Sequence, residues 1–256
     1  AAPVAGALGA MGTVADYKGE NFPDPVVNIR LEQSWGKIQA SAAAHQTATM
    51  QYAAGTITAP VINATATTTW GWAGSLGTSI NLPMLTPGST LGISGGYASG
   101  ALGYLGGVAN LATNNSNLSW GAGRVVGTQT DIGIDANGSA HNNTLWVIGS
   151  VLNYQATPTV ALFLGASYGK TGFDSALRQT AAMQQVYNPI GRTLVTAGWA
   201  WTPITRLEIG GEVQYQKASA STAVDWANTA GSNNAPGYVK KTDDNLQFRI
   251  RVKRDF

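Results

Sequence analysis

The sequence predicts an all-β chain that forms the wall of an antiparallel transmembrane barrel. The first observation is the last twelve residues, which alternate without a break. Leu246, Phe248, Ile250 and Val252 share one face, closed by Phe256, while Gln247, Arg249, Arg251, Lys253 and Asp255 share the other. Side chains alternate across a strand with period two, so this is one strand, apolar on one side and mostly cationic on the other. It exceeds the about 9–11 residues that a tilted strand needs to cross a bilayer. The second observation is composition: charged residues make up 11% of the chain, less than half the roughly 25% of soluble domains. The third is hydropathy. No apolar run approaches the about 18 residues of a membrane helix. Mean hydropathy is near zero, as expected when lipid-facing and lumen-facing residues alternate and cancel.

A chain of 256 residues suits one large β domain over 1–256. Without cysteine it has neither a disulfide framework nor a thiolate metal site. A net charge of +2 is too small to suggest nucleic acid. Ala1–Ala10 is rich in Ala and Gly and lacks the basic start of a signal peptide.

Residues 1–25 are poor in β-formers, close on Phe22-Pro23-Asp24-Pro25, and read as loop. Alternation then begins. Val27, Ile29 and Leu31 oppose Asn28, Arg30 and Glu32. After a tight turn at Ser34–Lys37, Ile38, Ala40, Ala42 and Ala44 oppose Lys37, Gln39, Ser41 and His45. Residues 47–66 read as Thr- and Ala-rich loop. A third strand runs from about Thr69 to Leu82, with Trp70, Trp72, Leu76 and Ile80 on one face and small residues on the other. Pro83–Gly88 is a turn by its prolines and glycine. The fourth strand spans about Thr90–Ala98.

Residues 99–142 form the longest connection, with room for a short hairpin around Leu118–Thr130. Loops this long are usually either functional or disordered. Two hairpins follow: Thr144–Gln155 with Thr159–Tyr168, and Arg192–Trp201 with Arg206–Gln216. Loops are expected at 169–190 and 218–241 before the terminal strand. Short turns thus alternate with long loops, as in outer-membrane barrels, which keep short turns on the periplasmic side. Trp35, Tyr154, Trp199 and Trp201 lie beside short turns, where an aromatic girdle sits.

Several stretches resemble the alphaproteobacterial general porins of the Brucella and Rhizobium type. They are Pro23–Arg30 leading to Trp35-Gly36, Ile80–Gly88, Trp199–Pro203 with Leu207–Tyr215, and Arg249–Phe256. The likeness runs from about Pro23 to the end. It implies a sixteen-stranded homotrimeric barrel in the bacterial outer membrane that passes small hydrophilic solutes and holds no cofactor. It also implies outer-membrane lipid and the barrel-assembly machinery as partners, with Phe256 as assembly signal. Arg254 departs from that signal, which usually has an apolar residue there. The reading here gives nine strands. The first and ninth run in the same direction, so closing them on each other breaks the antiparallel rule of bacterial barrels. The expectation is a carboxy-terminal part of a larger porin, its inward-folded constriction loop lying upstream.

Motifs for chemistry are weak. Gly165–Thr171 is one residue short of a phosphate-binding loop and no helical pattern follows. Gly133–Gly138 echoes a calcium loop without its first and twelfth carboxylates. His45 and His141 lack the company of a zinc site or a triad, and no enzyme is expected. The informative set is the charge opposite the apolar faces: Arg30, Glu32, Lys37, Arg206, Glu208, Glu212, Arg249, Arg251 and Lys253. Arg or Lys facing lipid costs about 2–4 kcal/mol at the midplane, so these residues should line the lumen. They either solvate it and pair across strands, or form a field that filters ions. The leading functional reading is a passive pore. A barrel with a structural or adhesive role through its loops is the alternative, and a soluble β-sandwich is third.

Overall fold

The computed structural model describes residues 13–19, 22–53, 64–105, 130–135, 139–179, 184, 187–225 and 239–255. The strands are β1 (Thr13–Gly19), β2 (Val26–Gln33), β3 (Gly36–Ala53), β4 (Ala64–Asn81), β5 (Thr90–Ser99), β6 (Ile132–Ile134), β7 (Ala140–Asn142), β8 (Thr144–Thr157), β9 (Val160–Gly172), β10 (Ile190–Ile204), β11 (Leu207–Asp225) and β12 (Val239–Arg254). Ten of them build one sheet, while β6 and β7 make a separate hairpin.

Every neighbouring pair in the large sheet is antiparallel. Strand β3 is long enough to pair with two strands along the same edge. Gly36–Ala43 meets β2, and Ala48–Ala53 meets β1. Ten strands therefore occupy nine positions across the wall. The nine strands expected from the sequence become ten in this sheet because β1 falls within residues 1–25, where composition suggests loop. Its partner is the upper end of β3, where a backbone ladder outweighs weak side-chain propensity. For the same reason β3, β4, β11 and β12 run several residues into the expected loops. A hairpin at 118–130 lies outside the described residues except for Thr130; the hairpin observed is β6–β7, at Ile132–Asn142.

The outer face has no core. Leu76 and Leu164, on strands with neighbours on both sides, are 60% and 56% exposed. A soluble sheet of this size buries such residues; a lipid-facing wall leaves them bare. Aromatic rings border the apolar band. Trp72 stacks with Tyr97 at 5.4 Å and Trp146 with Tyr168 at 5.3 Å between centroids, and Tyr97 lies opposite Trp146. This row crosses β4, β5, β8 and β9. Tyr154, Trp199 and Trp201 mark the other border. The eight-residue step from Trp146 to Tyr154 spans about 26 Å along the strand, or about 20 Å across the membrane at the usual tilt, comparable with the roughly 25 Å apolar band of outer-membrane barrels.

The opposite face is small and polar. Ser79, Gly92 and Val151 lie abreast in register, as do Gly77, Ser94 and Gly149. This face carries an open hollow of about 560 Å³ bordered by Lys37, Gln39, Ser41, Ser75, Ser94 and Thr196 among others. The short turns β2–β3, β4–β5, β8–β9 and β10–β11 fall on one rim by the antiparallel order, and the long connections fall on the other.

Candidate functional site

The charged residues singled out by the sequence stand on the inner face, with one exception. Arg206 lies in the β10–β11 turn with φ of 66°. Its carbonyl accepts from the Asp255 amide at 3.0 Å, so it belongs to the rim and not to the strand ladder. The eight others lie on the inner face of strands at the two edges of the wall. On β2 and β3, Arg30 pairs with Glu32, and Lys37 lies directly opposite Glu32. On β11 and β12, Arg249 Nη1 is 3.5 Å from Glu212 Oε1, Arg251 pairs with Glu208, and Lys253 Nζ is 3.4 Å from Asp255 Oδ2. The excess of bases suggested by the terminal strand therefore disappears, because Asp255 supplies a third acid. Two bases and one acid remain at β2–β3. Between the edges the hollow is bordered by Ser, Thr, Gln, Gly and small apolar side chains, and Lys37 is its one charged member among the described residues. Phe256 lies outside the described residues.

The start of the β5–β6 connection, Gly100–Leu105, lies against the inner face. At Gly100 the backbone turns with φ of 66°, and Leu102–Leu105 forms a 3-10 turn lying on the inner face. Leu102 packs on Leu145, and Ala101 joins Ala73 and Ala98; Leu105 touches both clusters. Two glycines make room. A Cβ on Gly96 would sit 2.5 Å from Leu105 Cδ2, and one on Gly71 would sit 2.0 Å from the Gly100 carbonyl oxygen. This docking was hidden in the sequence because Gly96 and Leu105 belong to different periodic patterns that meet only in space.

Polar contacts hold the inward segment. The Leu102 amide donates to Asp131 Oδ1 at 2.6 Å, and the Gly100 amide to the Asn143 carbonyl at 2.8 Å. The Tyr104 hydroxyl donates to Asp24 Oδ2, which also lies 2.8 Å from His45 Nδ1. His45 Nε2 faces Asp131 Oδ2 at 3.7 Å. Burial alone pushes the Asp24 carboxyl up. Hydrogen bonds from Tyr104 and His45, the His45 charge and the Gln46 backbone outweigh it and hold the carboxyl below its ordinary value. Asp24 was passed over in the sequence as part of Pro-Asp-Pro, although His45 sits in step with Lys37 on the polar face of β3.

The other motifs are absorbed by structure. Gly165–Thr171 is the body of β9, not a phosphate loop. Asp135 accepts from the Ser139 amide and faces His141; residues 136–138 lie outside the described residues.

An antiparallel wall that is apolar outside and small and largely polar inside, with a short segment docked on its inner face, has the architecture of a porin-class barrel wall. The chain belongs to the porin subfamily, whose family model matches residues 5–248. Its fold is similar to that of the outer membrane channel DcaP of Acinetobacter baumannii, with a TM-score of 0.54 and 14% identity. The match covers 96% of this chain and 54% of that one, so the chain spans about half the length of the solved channel. No curated protein matches by sequence. The family and the fold point to a channel in the outer membrane.

Proposed function

We propose that this chain forms part of a general diffusion porin, a water-filled pathway through which small hydrophilic solutes and ions pass down their gradients. The observation that carries the reading is the 560 Å³ hollow lined with Ser, Thr, Gln, Gly and small apolar side chains, behind an outer face of bare Leu, Ile and Trp. No bound cofactor and no covalent chemistry are needed; the work is done by diameter and wall charge.

The first and last positions of the nine-position wall run in the same direction, and the sheet order is a path, not a ring, among the described residues. Antiparallel closure then takes an odd number of further strands, which supports a sixteen-stranded barrel. A second copy in the same membrane orientation would meet these edges in parallel. The sequence likeness supports the alphaproteobacterial type, a homotrimer in the outer membrane, and delivery by the barrel-assembly machinery through Phe256. The eight inner-face charges are the wall's contribution to ion preference, and the residual cation at Lys37 gives it an anionic bias.

Planar-bilayer recording tests the reading. Stepwise, ohmic single-channel currents are expected from the detergent-extracted protein. An electrically silent barrel would favour the structural or adhesive role, and recovery without detergent would favour a soluble sandwich.

A further inference from the structure

The chain has two histidines, and each stands between two aspartates drawn from different segments. His45 Nδ1 is 2.8 Å from Asp24 Oδ2 and its Nε2 is 3.7 Å from Asp131 Oδ2. His141 Nε2 is 3.1 Å from Asp135 Oδ2 and its Nδ1 is 3.8 Å from Asp174 Oδ2. Both rings thus present a carboxylate to each nitrogen, one near and one farther off.

A neutral imidazole has one N–H and one lone pair, whereas an imidazolium donates from both nitrogens. In the neutral form the near carboxylate keeps the N–H and the far carboxylate faces a lone pair. Attraction to the far arm therefore depends on the ring carrying its proton. The far arms are also the ones that join separate parts of the fold. Asp131 begins the β6–β7 hairpin and accepts from the Leu102 amide, so it ties the inward segment to β3. Asp174 follows β9 and caps a 3-10 turn by accepting from Ala176, so it ties that turn to β7. The near arms keep their bond in both states, and one of them, Asp24, also accepts from the Tyr104 hydroxyl. Asp135 belongs to the hairpin of His141 itself, and Asp24 lies in the connection alongside β3, where the Ala44 amide donates to the Pro25 carbonyl.

We propose that His45 and His141 are two proton-operated clasps, the first tying the inward segment Gly100–Leu105 to β3 and the second tying the turn after β9 to the β6–β7 hairpin. Protonation adds the far arms to contacts that persist in both states, and loss of the proton loosens the parts they join. Histidine is the side chain whose charge ordinarily changes between about pH 5 and 8. The charged and titratable groups packed on the two rings agree with this sign. Asp24, Asp131 and Tyr104 surround His45, and the Tyr104 ring centroid is 6.2 Å away. Asp135 and Asp174 flank His141, and Tyr187 donates to the neighbouring Ile134 carbonyl at 3.2 Å. His45 and His141 are positioning residues: they act through the segment and not on the solute. As a device of a channel the pair rests on the porin reading, but the clasps themselves can be tested apart from it.

Two measurements on the full protein, in native form and as His45→Gln/His141→Gln, separate the possibilities. Glutamine keeps one hydrogen bond to a carboxylate but takes no proton. The first measurement is the frequency of brief closures in single-channel records. It should rise on the order of tenfold between pH 5 and 8 in the native channel, a change equal to about 1.4 kcal/mol, and stay level in the double variant. The second is amide hydrogen exchange of β6, β7 and residues 100–105, corrected for the intrinsic effect of pH. Protection should fall over the same range in the native protein only. A native protein whose protection does not change with pH, or a pH response that survives the double substitution, overturns the clasps. A silent protein whose protection still responds to pH overturns the channel reading and leaves the clasps standing.

Discussion

Leu102, from the β5–β6 connection, and Leu145, from the wall strand β8, bury one another on the inner face, at 3% and 1% exposure. Two apolar side chains thus dock a loop on a wall that is otherwise small and polar. That contact fixes the segment to the wall beside its polar bonds to Asp131, Asn143 and Asp24.

Leu102→Ala is expected to loosen the inward segment. A buried Leu→Ala change costs about 2–5 kcal/mol, and here the loss falls on the docking of one turn, not on the sheet. Assembly should be unchanged, while open-channel noise rises and conductance becomes heterogeneous. Gly96→Leu should displace Leu105 from the same place. Records as quiet and uniform as those of the native channel would show that the segment does not narrow the pathway.

Ion preference should follow the unbalanced patch and not the terminal ladder. Arg249 and Arg251 are each paired with a glutamate, so Arg249→Gln/Arg251→Gln removes two bases and leaves two acids. Reversal potential in a salt gradient should move toward cations. Adding Glu208→Gln/Glu212→Gln should restore it. Lys37→Gln should shift it in the cation direction as well, because Glu32, the acid opposite it, already pairs with Arg30. All shifts should fade as the Debye length falls from about 10 Å at 0.1 M to about 3 Å at 1 M. No change at low salt with Lys37→Gln would remove that residue from the account.

Leu164 lies midway between Val160 and Tyr168 on the outer face of β9 and is over half exposed. Leu164→Arg should cost roughly 2–4 kcal/mol as a lipid-facing charge and reduce the amount of assembled, heat-modifiable barrel. Ser167→Arg, one step along the inner face, should assemble normally and lower conductance. Equal assembly of both would contradict the assignment of faces.

The Asp24 carboxyl sets an acid limit on the docking of the inward segment. Its native value is lowered, so its contribution is fully present above the ordinary carboxylate value of about 3.9 and is lost as pH falls through the lowered one. Hydrogen-exchange protection of residues 100–105 should therefore survive at pH 4 and drop below it. Asp24→Asn should abolish that step. An identical acid profile in the variant would assign the step to another carboxylate.

The alternation of apolar and polar side chains determined, without any structure, that the chain is a membrane-crossing wall. It named the outer residues Leu76, Ile93 and Ile250, the inner ladder of Arg249 and Arg251, and the rim of short turns. Period two is local, and a strand's two faces are written in its own residues. Three things were decided only in space. β1 exists because β3 runs long enough to hold a second partner, which no propensity of Thr13–Gly19 announces. Glu208 and Glu212 neutralise Arg251 and Arg249 by a register set across β11 and β12, while Asp255 reaches Lys253 along one strand. The inward segment depends on Gly96 making room for Leu105, and on Asp24, His45 and Asp131 meeting from positions far apart in the chain. Contacts between distant segments leave no period in a sequence, so folding alone brings these groups together.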